Sequence, residues 1–149
     1  MVWAAFSHYG KFEVVVTCGR QNAKKYCKTM KDHLLPFATL THGENWIYQQ
    51  DNASIHRAHE TRTWFKDHGV DVLDWPARSP DLNPIENLWA IMGRTVYACA
   101  RQFSSTKDLT SCIMKCWEKI EDEVLHNLVA SMPRRCAAVM AKHGSKTKY

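Results

Sequence analysis

Two acids sit where a sequence can put a carboxylate to chemical use. Asp51 ends the stretch Asn45-Trp46-Ile47-Tyr48-Gln49-Gln50-Asp51, which reads as a short buried strand, and Asn52-Ala53-Ser54 then turns into a helix. An acid at the C-terminal end of a strand lies at the edge where α/β sheets bind ligands. Glu86 lies in Ser79-Pro80-Asp81-Leu82-Asn83-Pro84-Ile85-Glu86-Asn87-Leu88-Trp89. There Asn83 suits an N-cap and Pro84 suits the first helical position, where its missing N–H costs nothing. Glu86 is then the third helical residue, rigidly placed at the start of a helix. Ile85, Leu88, Trp89 and Met92 give that helix a face to bury. Acids on two such elements can converge on a hard divalent cation, which prefers oxygen ligands. Spacing alone also permits a plainer reading, with Glu86 closing a capping box onto Asn83 and Asp51 closing an Asx turn.

The elements around them follow from periodicity and punctuation. Met1 to Ser7 and Phe12 to Thr17 predict an antiparallel hairpin turning at His8-Tyr9-Gly10-Lys11. Asn22 caps a helix from about Ala23 to Leu35, ended by Pro36, with Tyr26, Cys27, Met30 and Leu34 inward. Lys24, Lys25, Lys28 and Lys31 cover its other face, as a solvated surface or as contacts to phosphates. Thr39 to Asn45 is a polar connection. After the Asp51 strand, Ser54 caps a helix from Ile55 to His68 that buries Ala58, Trp64 and Phe65, with Gly69 as its left-handed C-cap. Val70 to Trp75 is a further strand. The Glu86 helix runs to about Tyr97. Ser105 and Asp108 form a capping pair. Leu109, Cys112, Ile113, Cys116, Trp117, Ile120, Val124 and Leu128 predict one amphipathic helix of about five turns. Ser131-Met132-Pro133 opens a last helix with Cys136, Val139 and Met140 inward, ended by Gly144.

Composition bounds the class. At 149 residues and 45% hydrophobic, the chain has room for one domain. No run of 18 apolar residues predicts a membrane helix, and no basic-then-apolar leader is visible at the start. The net charge of +5 is compatible with nucleic acid as a partner without establishing it. Cys18, Cys27, Cys99, Cys112, Cys116 and Cys136 lack zinc-finger pairing and are expected to be reduced thiols.

The wording of the two acid motifs goes further than their spacing. QQDNASIHRAH followed by VLDWPARSPDLNPIENLW closely resembles the catalytic domain of Tc/mariner-type cut-and-paste DNA transposases. MVWAAFSHYGK, KDHLLPFA and LVASMPRRCAAVMAKHGSKTKY extend the resemblance over essentially the whole chain. It implies an α/β, ribonuclease H-like (DDE integrase/transposase) fold, with a mixed sheet flanked by helices. It implies a triad of acids holding Mg²⁺ or Mn²⁺, in which Asp51 matches the second acid and Glu86 the third, both catalytic and both metal ligands. DNA, as transposon ends and target, is the implied partner, in the nucleus and off the membrane. His56 falls in the family motif as a DNA contact, Arg78 is a candidate phosphate contact in the loop before Glu86, and Lys24 and Lys28 are candidates on the lysine stripe. Asp81 is a turn residue in the motif, not a ligand.

One departure shapes the expectation. The family's first acid lies on a strand upstream of the motif that here starts at Met1, and no acid precedes Glu13. Positions 1–149 are therefore expected to be a single, N-terminally truncated catalytic domain with little or no cleavage activity alone. The alternative is a non-catalytic, DNA- or transposase-binding product of a decayed element. In the fold's strand order, 3-2-1-4-5, the strand lacking is the central one. The gap is expected to close by antiparallel pairing of the first hairpin strand with the Asp51 strand, or by a strand donated from another chain, including a second copy.

Overall fold

The computed structural model describes residues 1–143 and 147, and the expected helix stop at Gly144 lies outside them. The chain divides into two compact units: one is Met1 with Thr17–Ser79, the other Val2–Val16 with Pro80–Tyr149.

In the first unit, α1 (Ala23–Thr29) starts at Asn22, whose side chain accepts the Lys25 N–H at 2.9 Å. Pro36 does not end the helical run. A π-helical turn over Met30–Leu34 connects α1 directly to α2 (Leu35–His42), with the Leu35 N–H bonded to the Met30 carbonyl. The wider turn places Pro36 in the first turn of α2, where a proline needs no N–H partner. The polar connection thus begins at Gly43, three residues after Leu40. Strand β5 (Ile47–Tyr48) pairs in parallel with β6 (Asp71–Val72), with Ile47 opposite Asp71 and Tyr48 opposite Val72. It is shorter than expected and not buried, since Ile47 is 66% exposed.

The expected Ile55–His68 helix is two pieces, α3 (Ser54–Arg57) and α4 (His59–Asp67), separated at Ala58, whose ψ of 143° is extended. Thr61 accounts for the break. It is fully buried, and its hydroxyl donates to the Ile55 carbonyl at 2.6 Å in place of a helical N–H. Gly69 is left-handed as expected, at φ 64°. The unit packs Tyr26, Cys27, Met30, Leu34, Ala38, Phe65 and Val70 inward.

In the second unit, β1 (Val2–Trp3) pairs with β4 (Val15–Val16), and β2 (Phe6–Ser7) with β3 (Gly10–Lys11), both antiparallel. This is the expected hairpin, interrupted at Ala4 and Ala5. The predicted closure onto the Asp51 strand is not formed: β1 takes β4 as its partner and β5 takes β6. The acid-bearing loop contains a 3₁₀ turn, Pro80–Leu82, and leads to α5 (Ile85–Val96). After it come α6 (Thr106–Glu118), α7 (Asp122–Ala130) and α8 (Met132–Ala141).

The expected five-turn helix is thus broken between Glu118 and Asp122. Ile120 stays in the core, and its carbonyl is taken by the Lys11 ammonium instead of a helical N–H. The core joins Ala4 and Val14 of the hairpin to Leu88, Met92, Val96, Ile113, Trp117, Ile120 and Leu125. On α8 the expected inward face is corrected. Cys136 and Met140 are exposed, and the buried residue is Arg135.

Candidate active site

Asp51 lies three residues past β5, where the chain turns into α3. Its Oδ1 accepts the Ala53 N–H at 3.0 Å, and His56 Nδ1 lies 2.7 Å from the same oxygen. The Asx turn is therefore real, and it engages only one oxygen. Oδ2 has no hydrogen bond among the described residues, and the side chain is 51% exposed. So the turn uses one oxygen of the carboxylate and leaves the other open to solvent.

Behind Asp51 is a packed polar layer. The His56 side chain is 18% exposed and stacks on Tyr26, with ring centroids 4.4 Å apart. The Tyr26 hydroxyl donates to Gln50 Oε1 at 2.6 Å and lies 3.3 Å from the Tyr48 hydroxyl. Burial, then the neighbouring Tyr48 and Asp51, push the Tyr26 phenol well above its usual range. The Asn52 amide donates to the Trp75 carbonyl at 2.6 Å, tying the end of the β5 segment to the end of the β6 segment. Asp51 and His56 also line a groove of about 510 Å³. Arg57, Arg62 and Lys66 come to it from α3 and α4. Asp71, Asp74 and Trp75 come from the β6 side.

Glu86 sits in the first turn of α5, exposed, where the helix N-terminus favours a negative charge. The expected N-cap at Asn83 is displaced by one residue. Pro84 holds the cap position without a side-chain bond, and the buried Asn83 amide instead donates to Glu86 Oε1 at 3.5 Å. Below this turn lies Arg135, 2% exposed. Its Nη1 donates to the Asp81 carbonyl at 2.9 Å, its Nη2 to Asn87 Oδ1 at 2.9 Å, and its Nε to Ser131 Oγ at 2.7 Å. Residues on both sides of Glu86 are thus held by one guanidinium. The Asp81 carboxylate accepts the Thr147 hydroxyl at 2.9 Å. Sequence reasoning missed Arg135, because a charged residue on an amphipathic helix is read as outward. The trace it left is Ser131 one turn before it.

The remaining predicted residues are placed as follows. Lys24 and Lys28 are exposed on α1, and Lys28 pairs with Asp32 at 2.5 Å. Arg78 is exposed in the loop at a positive φ of 56°. Among the described residues no group of three His, Cys, Asp or Glu side chains is placed to hold a metal ion. Nor is any helix among them long and apolar enough to cross a membrane.

Residues 1–110 match the family model described as DDE superfamily endonuclease. The chain belongs to that family. Within it, this DDE domain is 38% identical over all 149 residues to the Caenorhabditis elegans transposable element Tc3 transposase, of which it covers 45%. It spans about half the length of the curated relatives it matches. Its structure superposes on that of the Mos1 transposase catalytic domain with Raltegravir and Mg at a TM-score of 0.88 and 21% identity. The match covers 99% of the DDE domain and 76% of that chain. On the Mos1 transposase paired-end complex with left transposon end the TM-score is 0.81 at 23% identity, covering 97% of the domain and 43% of that chain. The DDE domain therefore has the ribonuclease H-like fold and corresponds to part of a Tc/mariner-type transposase catalytic domain.

Proposed function

We propose that this domain supplies two of the three acids of a metal-dependent DNA strand-cleaving and strand-transferring centre, Asp51 and Glu86. The observation that supports this most is the division of labour on Asp51. Ala53 and His56 hold one oxygen in a turn, and the other is left open to solvent. Hard carboxylate oxygens on rigid supports suit Mg²⁺ or Mn²⁺. Such ions, when bound, make a water or a DNA 3′-hydroxyl nucleophilic and stabilise the leaving oxygen. The chain's own residues do the positioning. His56 and the Asx turn aim Asp51, and Asn83 and Arg135 steady the turn that carries Glu86.

DNA is the substrate and partner in this reading, with the nucleus as the place of work. The solved relative that carries a transposon end supports it. Phosphate contacts are assigned to Arg78, Lys24 and Lys28, while His56 reaches DNA only through its second ring nitrogen. The two units act as parts of one catalytic domain. A third acid, and a strand to pair with the second edge of β5, come from outside positions 1–149 or from another copy or chain.

The test is twofold. Mn²⁺ titration followed by electron paramagnetic resonance should give weak binding that Asp51→Asn and Glu86→Gln each reduce further. A Mn²⁺-dependent nicking assay should give little or no cleavage by residues 1–149. Metal binding indifferent to both substitutions would overturn the assignment of the two acids. Cleavage abolished by Asp51→Asn would show that the centre is completed by residues 1–149, in one copy or between copies.

A further inference from the structure

We propose that the groove beside Asp51 is a binding site for a nucleotide unit of single-stranded nucleic acid, with Arg57, Arg62 and Lys66 as its phosphate-binding wall. The proposal rests on the DNA-directed reading above and deepens it, since none of the phosphate contacts assigned there lines this groove. Four observations carry it.

The groove includes Asp51 itself, so a strand whose reacting phosphate lay at that carboxylate would continue into it. Its volume, about 510 Å³, lies in the range of sites that hold a small organic ligand, roughly 300–1,000 Å³. Apart from Asp51 itself, its charges are segregated by element. The three cations stand on the α3 and α4 side, and Asp71 and Asp74 stand on the β6 side. No ion pair joins the two sides among the described residues. A nucleotide carries the same division: an anionic phosphate at one end, and base amino groups that carboxylates accept at the other. Finally, Trp75 lines the groove, half-buried, on a backbone pinned by Asn52, and supplies an aromatic side chain of the kind on which a base stacks.

The two acids make this site different from a plain basic patch. They oppose a second phosphate, so the groove favours one phosphate with its base over a bare polyanion. By contrast, Lys28 already has Asp32 as a partner on the lysine stripe.

The experiment is fluorescence anisotropy of a labelled single-stranded oligonucleotide, titrated with the full chain over a range of salt concentrations. The Arg62→Gln/Lys66→Gln pair is compared with Lys107→Gln/Lys115→Gln, an exposed, charge-matched pair on α6. Circular dichroism checks that each variant folds. The groove pair should weaken binding and flatten the salt dependence by about 0.7 in log–log slope per lost phosphate contact. The α6 pair should leave the slope unchanged. Equal effects of the two pairs, or unchanged binding in the groove pair, would overturn the groove while leaving the DNA-directed reading standing. No binding of any DNA at low salt by the unsubstituted chain would overturn that reading and the groove with it.

Discussion

At Asp51 one oxygen is tied into the turn that starts α3, and the other faces solvent. Neither fact was legible separately. The residue's position after a strand permitted both a turn and a ligand, and only the motif's wording separated them. Tyr26 was read as core, and it is core. Its hydroxyl also reaches Gln50, the residue before Asp51. Because burial raises its folded-state pKa, the neutral phenol is favoured in the folded chain. Stability from this group is full below its unfolded value near 10 and is lost as pH rises from there through the raised folded value. Tyr26→Phe should therefore flatten the alkaline limb of an unfolding-against-pH curve, and an unchanged limb would refute the assignment. Arg135 gives a larger effect. Its removal leaves one buried and two half-buried acceptors without this donor, at about 1–3 kcal/mol each at most. Arg135→Met should cost several such increments, about 3–5 kcal/mol, in urea-induced unfolding. Arg135→Lys should recover only part of that, since an ammonium cannot reproduce the planar fork.

Among the elements, those set by neighbours in sequence were legible and those set by distant partners were not. The capping pair before α6 formed as read: the Asp108 N–H donates to Ser105 Oγ at 3.1 Å, and the Ser105 hydroxyl donates to the Asp108 carboxylate at 2.7 Å. Ser105 and then Ser104 hold that carboxyl below its usual range. Ser105→Ala should destabilise the chain by about 1 kcal/mol in the same measurement. The Gly69 stop and the His8-Tyr9 hairpin turn were read equally well. The break between α6 and α7 was invisible because the apolar period runs straight through it and Ile120 keeps its inward place. What ends α6 there is a lysine more than a hundred positions away, Lys11, acting on the Ile120 carbonyl. The Met30–Leu34 turn was missed for another reason. Proline was read as a stop, whereas a widened turn can carry the helical run past it.

On the scale of the whole molecule, the fold class was legible from the motifs, while the division into two units and the extent of each strand were not. Every strand among the described residues is two residues long, and every sheet has two strands. Periodicity in Asn45–Asp51 and Val70–Trp75 suggested longer pairings than the chain makes. The second edge of β5 is where a further strand would add backbone hydrogen bonds. A chain extended upstream of position 1, or a second chain supplying that strand, should raise the melting temperature of the first unit. Hydrogen exchange should then show the Ile47 amide slowed, since Tyr48 already faces β6, and an Ile47 amide as fast as before would refute strand donation. The Arg135 clamp has a practical consequence as well. The family match stops at residue 110, yet the guanidinium that steadies the Glu86 turn comes from 25 positions later, on α8. Anyone trimming this protein to the residues that the family model matches would keep Glu86 and discard the anchor of its turn, and a loss of function in that product would say nothing about the chemistry of the intact fold.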